Sequence, residues 1–346
     1  MRILVTGAAG LLGGEVCARL VRAGHNVTAL IHRNPEIRAN DGSAVAVAAT
    51  LRGDIARDRL GLDNAGFASA SAHDLVIHCA ASVRFDLTEE EYAATNVRGT
   101  GNVLALAEAG GMSMLHVSTA YVCGTRDGPI LESDVLPPNG PNTGFANGYE
   151  ASKAAGERLV RASGARWAIA RPSVVVGAHG DGEIRQFDTI YAAFKLIAEG
   201  RVSHLPALPD ATLDFVPIDH VAGGIVALAK RMEAATGGTF HLVAERPVPV
   251  AAFTDAIAGY PQFHRPELVA PDRFDPTALP PLERRLYTRV AALYASYFQR
   301  DPRFDDTALR ALTGLHCPPT DAAFVGRLVD YAIAQGFLKA APVLVA

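Results

Sequence analysis

Thr6-Gly7-Ala8-Ala9-Gly10-Leu11-Leu12-Gly13 follows the apolar run Arg2–Thr6 directly and opens an amphipathic stretch over residues 11–23. An apolar run, a glycine-rich turn and a helix make up the first half of a βαβ unit. In such a turn the glycines let the chain bend tightly, and backbone N–H groups at the helix start can face an anionic pyrophosphate. Gly7, Gly10, Leu11, Leu12 and Gly13 are therefore the candidate dinucleotide-binding residues. The last glycine also permits close packing of helix on strand.

The rhythm repeats outward from this turn. Apolar runs predict strands over 2–6, 26–31, 44–48, 74–79, 112–118 and 167–170, with helices over 11–23, 89–109 and 149–163. Strands that read as continuous apolar runs and alternate with helices specify an α/β fold, a doubly wound parallel sheet of Rossmann type. Residues 1–177 form the cofactor-binding domain, with a return segment at 212–245 made of a strand at 212–217, a helix at 219–231 and a strand at 239–243. Asp219 is read as the cap of that helix. Residues 178–211 and 246–346 make a smaller, mainly helical substrate-binding part. Within it, Ile184, Phe187, Ile190, Tyr191, Phe194 and Ile197 share one helical face over 184–198. Helices are also predicted over 282–299 and 320–335, after a proline-rich, irregular connection at 261–281.

Composition excludes several function classes. With 49% hydrophobic residues in 346, the chain can bury a sizeable core. Lys and Arg number 32 against 36 Asp and Glu, which leaves no excess of positive charge for nucleic acid. Cys17, Cys79, Cys123 and Cys317 are scattered, without a CxxC pair or zinc spacing, so neither a disulfide framework nor a metal site is expected. Met1 leads straight into a strand, and no apolar stretch approaches the ~20 residues that span a bilayer. A cytoplasmic protein without a transmembrane segment is expected.

The end of the second strand bears on the choice of dinucleotide. An acidic residue there would grip a ribose 2′-OH and repel a 2′-phosphate. This chain instead has Ile31-His32-Arg33-Asn34. Arg33 offers a planar fork for a phosphate, with His32 beside it, so NADPH is expected over NADH. In Gly53-Asp54-Ile55, Asp54 is placed to accept from an adenine amino group or to serve as a plain turn aspartate.

Tyr149-Glu150-Ala151-Ser152-Lys153 starts a predicted helix. Residues four apart share a helix face, so Tyr149 and Lys153 project together. A neighbouring ammonium, together with the charge of an oxidised nicotinamide, is expected to lower the phenol pKa from its ordinary value near 10, which makes the pair an acid–base unit. Ser118 and Thr119 end the fifth predicted strand, at the carboxyl edge where ligands bind in such sheets. The nearby Cys123 reads as a small hydrophobe rather than a nucleophile.

A glycine turn, then a hydroxyl at strand five, then Tyr and Lys on the following helix resembles the short-chain dehydrogenase/reductase superfamily in its extended, two-part form. The resemblance selects Thr119 over Ser118 by its distance from Gly124. It also matches Asn96, in Asn96-Val97-Arg98-Gly99-Thr100, to the asparagine those proteins keep on the fourth helix. The loop His78-Cys79-Ala80-Ala81-Ser82-Val83-Arg84-Phe85-Asp86 is similar to that of thioester reductase domains and fatty acyl-CoA reductases. So are the stretches 147–153, 171–177 and 214–222, and Gly53-Asp54-Ile55 followed by Leu60-Gly61-Leu62. The segment 297–306 resembles acyl-CoA reductase tails more loosely. The arginine at the end of strand two stands one place later than in those proteins.

What the resemblance implies is an NADPH-dependent reduction of a hydrophobic acyl thioester, on coenzyme A or a carrier, to an aldehyde or alcohol. Thr119, Tyr149, Lys153 and Asn96 would be catalytic. Cys79, Ala80, Ala81, Pro172, Ser173 and Val174 would join the glycine turn, His32, Arg33, Asp54 and Ile55 around the cofactor. Arg84, Phe187, Tyr191 and Phe194 are the candidate substrate contacts, the last three lining an elongated apolar pocket. The competing reading keeps the site and reduces a ketone on a lipid or other bulky hydrophobic molecule. A nucleotide-sugar epimerase or dehydratase shares the extended fold, but the 78–86 loop and Arg33 point away from it. A homodimer is left open, as is membrane-surface contact through the helix at 282–299, which carries Arg284, Arg285 and Arg289.

Overall fold

The computed structural model describes residues 1–138, 144–188, 190–208 and 210–341. The central sheet has seven strands, β1 Arg2–Thr6, β2 Asn26–Ile31, β3 Ala49–Arg52, β4 Leu75–His78, β5 Ser113–Val117, β6 Arg166–Pro172 and β7 Thr239–Leu242. All are parallel, in the spatial order β7-β6-β5-β4-β1-β2-β3. The strand order reverses between β1 and β4, and the crevice beyond their carboxyl ends is where such sheets bind ligands.

Side chains alternate along each strand, so both faces of the sheet are apolar. Ile3 and Val5 of β1 pack on one face under Val16 and Leu20 of the helix Leu11–Arg22 and Ile225 and Leu228 of the helix Ile218–Lys230. Leu4, between them, faces the other way with Val76, Met114 and Ile169, under Val103 and Leu106 of Gly99–Gly110. A third cluster lies outside the sheet. It gathers Phe194, Phe253, Phe298 and Phe324 from Ile190–Ala198, Val250–Ala258, Ala292–Gln299 and Ala322–Ala334.

Several elements differ from expectation. The third strand is Ala49–Arg52, not 44–48. Residues 44–48 have the right alternation, but the register with β2 pairs Thr28 with Ala49 and Ile31 with Arg52. Val45 and Val47 instead pack against the core from outside the ladder. The helix expected over 184–198 begins at Ile190. Its expected first turns are pulled into an irregular path, where Arg185 N donates to Asn40 Oδ1 and Asn40 Nδ2 donates to the Glu183 carbonyl. Asp219 does not cap its helix. It lies within the first turn and accepts from His179 N, while Pro217 holds the cap position.

Two expected helices run at nearly their expected lengths but contain a wider turn. Glu89–Tyr92, Ala93–Arg98 and Gly99–Gly110 form one run with a π turn in the middle. Pro281–Leu286, Tyr287–Ala291 and Ala292–Gln299 form another. Such turns concentrate at functional sites. Among the described residues no helix is long and apolar enough to cross a membrane.

Candidate active site

A cavity of about 310 Å³ opens beyond the carboxyl ends of β1, β4, β5 and β6. Gly7, Gly10, Leu11, Leu12 and Gly13 line one end, and Cys79, Ala81, Pro172, Ser173 and Val174 line the middle. Ser118, Thr119, Tyr149 and Lys153 meet at the other end.

The glycine turn is dense. Gly7 has φ +70°, a left-handed conformation that disfavours any side chain, and a Cβ on it would lie 2.6 Å from Ala80 N. A Cβ on Gly13 would lie 2.1 Å from the Gly7 carbonyl oxygen. Gly10 occupies the N-cap of Leu11–Arg22 and supplies no side-chain acceptor to the first turn. An uncapped helix start facing a cavity suits a dinucleotide pyrophosphate. Thr6 Oγ1 accepts from Ala80 N at 3.3 Å and bonds His78 Nδ1 at 2.7 Å, holding the loop after β4 against the turn.

Tyr149 and Lys153 share one face of Gly148–Ala162, whose N-cap Asn147 accepts from Glu150 N. Lys153 Nζ is buried and donates to the Val117 carbonyl at 2.7 Å, tying the helix to the end of β5. Burial lowers the Lys153 pKa to about 8, opposed by the carboxylate of Glu157. The expected lowering of the Tyr149 pKa does not dominate in the structure. Burial pushes the phenol well above its ordinary value, Glu150 adds to this, and a hydrogen bond with Thr119 pulls the other way. Tyr149 is therefore protonated at neutral pH and available as a donor. Burial also raises the thiols, Cys79 to about 12 and Cys123 to about 11, so neither is a ready nucleophile.

Asn96 does not line the cavity. It sits in the π turn, accepts from Ser82 N at 2.8 Å, and donates to the Ser82 carbonyl at 3.1 Å and to Ser152 Oγ at 2.9 Å. It thus braces the loop after β4 against the helix that carries Tyr149.

Other expected residues lie elsewhere. Arg84 is exposed and pairs with Asp86 at 2.8 Å, while its neighbours Val83 and Phe85 line the cavity. Tyr191 and Phe194 are buried in the outer cluster, where the Tyr191 hydroxyl accepts from Gly177 N and the Phe194 ring packs on Phe253. Phe187 stacks on Phe337 at 4.4 Å. None of these three reaches the cavity wall formed by the described residues, because the helix starts late and turns its apolar face into the core. Ala80 meets the glycine turn through its backbone, and Ile55 packs against Gly99. His32 Nε2 lies 3.7 Å from Asp54 Oδ2 beyond β2 and β3, with Arg33 exposed next to it.

Residues beyond the expected set also neighbour the site, two of them, Tyr294 and Tyr297, from the helix expected over 282–299. Phe85, Tyr121, Tyr294 and Tyr297 line the cavity around Tyr149, with Gln186 and Asp188 close by. Arg300 forms a buried ion pair with Glu150, donates to the Gly124 carbonyl at 2.8 Å, and lies over the Tyr121 and Tyr297 rings. Its one signal in the sequence is the 297–306 string. Arg185 Nη2 donates to the Gly10 carbonyl at 3.0 Å, which joins the irregular segment to the glycine turn.

Residues 5–225 match the family described as Male sterility protein. The 3-diazoavenalumate denitrifying reductase of a Streptomyces species is 30% identical over 288 residues, covering 81% of this chain and 86% of that protein. The isonitrile lipopeptide synthase of Streptomyces coeruleorubidus is 28% identical over 383 residues, covering 98% of this chain but only 25% of the synthase. This chain therefore spans about a quarter of that relative. Among solved structures, the terminal R domain from the myxalamid PKS-NRPS biosynthetic pathway is 28% identical with a TM-score of 0.82, covering 99% of this chain and 92% of that one. The dinucleotide turn, the Tyr149–Lys153 pair beyond β5 and these similarities agree: the chain belongs to the male sterility protein family and is an NAD(P)-dependent reductase of the extended short-chain dehydrogenase/reductase type.

Proposed function

We propose that the protein reduces an acyl thioester, carried on coenzyme A or on a carrier protein, to the aldehyde with NADPH. The observation that carries this reading is a single cavity with an uncapped glycine turn at one end and Thr119, Tyr149 and Lys153 at the other. Its similarity to the terminal R domain supports the choice of thioester. Residues 1–177 with 212–245 would hold the cofactor, and 178–211 with 246–346 would close the substrate side.

When bound, the dihydronicotinamide supplies the hydride. Thr119 and Tyr149 hold the thioester oxygen, and the protonated phenol of Tyr149 donates as charge develops there. Loss of the thiol from the resulting tetrahedral adduct leaves the aldehyde. Lys153, anchored on the Val117 carbonyl, would hold the cofactor ribose through its ammonium. Pro172, Ser173 and Val174, which line the cavity, would flank the nicotinamide, and Arg33 would meet the 2′-phosphate.

The test follows NADPH oxidation and thiol release together, with acyl-coenzyme A and acyl-N-acetylcysteamine thioesters beside matched ketones. Equal amounts of oxidised cofactor and released thiol are expected, and two oxidised per thiol would mark reduction on to the alcohol. Turnover of ketones with no thiol released from any thioester would overturn the reading.

A further inference from the structure

Four aromatic rings gather at the reacting end of the cavity from three separate parts of the chain. Phe85, from the loop after β4, has its ring centroid 5.5 Å from that of Tyr149. Tyr294 and Tyr297, from Ala292–Gln299, lie 5.3 and 6.0 Å from the Phe85 ring. Tyr121, two residues after Thr119, meets Tyr297 edge-on at 4.6 Å. All four line the cavity that contains Thr119 and Lys153.

These rings are held in place. The Arg300 guanidinium lies 4.8 Å from the centre of Tyr121 and 5.3 Å from that of Tyr297, and its charge is met by buried Glu150. The Tyr92 hydroxyl donates to the Arg84 carbonyl at 2.5 Å, fixing the backbone next to Phe85. The rings at this end are therefore Phe85, Tyr121, Tyr294 and Tyr297, whereas Tyr191 and Phe194 are committed to the outer core.

Ring faces are negative and ring edges positive, so a flat aromatic group among fixed rings gains more than its buried area alone provides. An alkyl chain gains the area only and loses rotamer freedom on binding. From this geometry we infer that the preferred substrates carry an aromatic ring close to the reacting carbonyl, seated against Phe85, Tyr294 and Tyr297. The inference rests on the thioester reading and names the acyl class that reading leaves open.

The experiment compares 3-phenylpropanoyl, 3-cyclohexylpropanoyl and nonanoyl N-acetylcysteamine thioesters, which share a carbon count and an unconjugated carbonyl. The phenyl thioester should exceed both others in kcat/KM by about fivefold, the scale of one or two ring contacts. Phe85→Leu and Tyr294→Leu should each shrink the phenyl-to-nonanoyl ratio of kcat/KM, since each removes a ring face from the proposed seat. A nonanoyl or cyclohexyl substrate as good as the phenyl one, or an unchanged ratio in both variants, would overturn the inference. The corresponding aldehydes separate it from the function beneath it. Preference for 3-phenylpropanal over nonanal with no thioester turned over would keep the aromatic site and remove the thioester reading. Thiol release with nonanoyl preferred would do the reverse.

Discussion

Arg300 and Glu150 form a buried ion pair one residue from Tyr149, tying the C-terminal part of the chain to the helix that holds the Tyr149–Lys153 pair. Removing one partner leaves a buried charge uncompensated, which typically costs about 3–5 kcal/mol. Arg300→Met should therefore lower stability by that order in chemical denaturation. Glu150→Gln combined with Arg300→Met should recover much of the loss. A double variant no more stable than Arg300→Met would show that the arginine acts through its ring contacts instead.

Tyr149→Phe removes the donor and keeps the ring. Affinity for NADPH should be unchanged, while kcat falls by roughly 10²–10⁴. Fluorescence titration of the cofactor and steady-state rates on one preparation check both halves.

Lys153 sets a pH dependence. Its folded pKa is about 8 against an ordinary 10.5, so the ammonium is lost as pH rises through about 8. The kcat/KM for NADPH should fall through that range, and Lys153→Arg should remove this limb because a guanidinium stays charged. Stability should move the other way. Between about 8 and 10.5 the unfolded chain keeps a proton that the folded chain has released, so this lysine's contribution to stability rises with pH.

Arg33→Ala should raise KM for NADPH and leave NADH kinetics unchanged, since only NADPH carries the 2′-phosphate. Equal effects on both cofactors would remove the phosphate-binding role from Arg33.

Features that depend on near neighbours were legible in the sequence. The glycine turn could be read because the steric limits at Gly7 and Gly13 act within one βαβ unit. Tyr149 and Lys153 could be paired because helical spacing alone puts them on one face. The strands β1 and β2 agree with their apolar runs residue for residue. The start of β3 was not legible, because parallel register is set by the partner strand and 44–48 alternates equally well.

In the sequence Phe187, Tyr191 and Phe194 share one apolar helical face, and the helix expected over 282–299 carries Leu286, Tyr294 and Tyr297 along one side. Tertiary packing decided which of these became core and which became cavity wall. It turned Tyr191 and Phe194 into the outer cluster and Tyr294 and Tyr297 toward Tyr149. It also moved Asn96 from an expected catalytic position to a brace on Ser82 and Ser152, and joined Arg300 to Glu150 across 150 positions of chain. The physical reason is common to these cases. Hydrophobicity and helical spacing say that a face must be buried, whereas its partner depends on how distant segments close over the sheet.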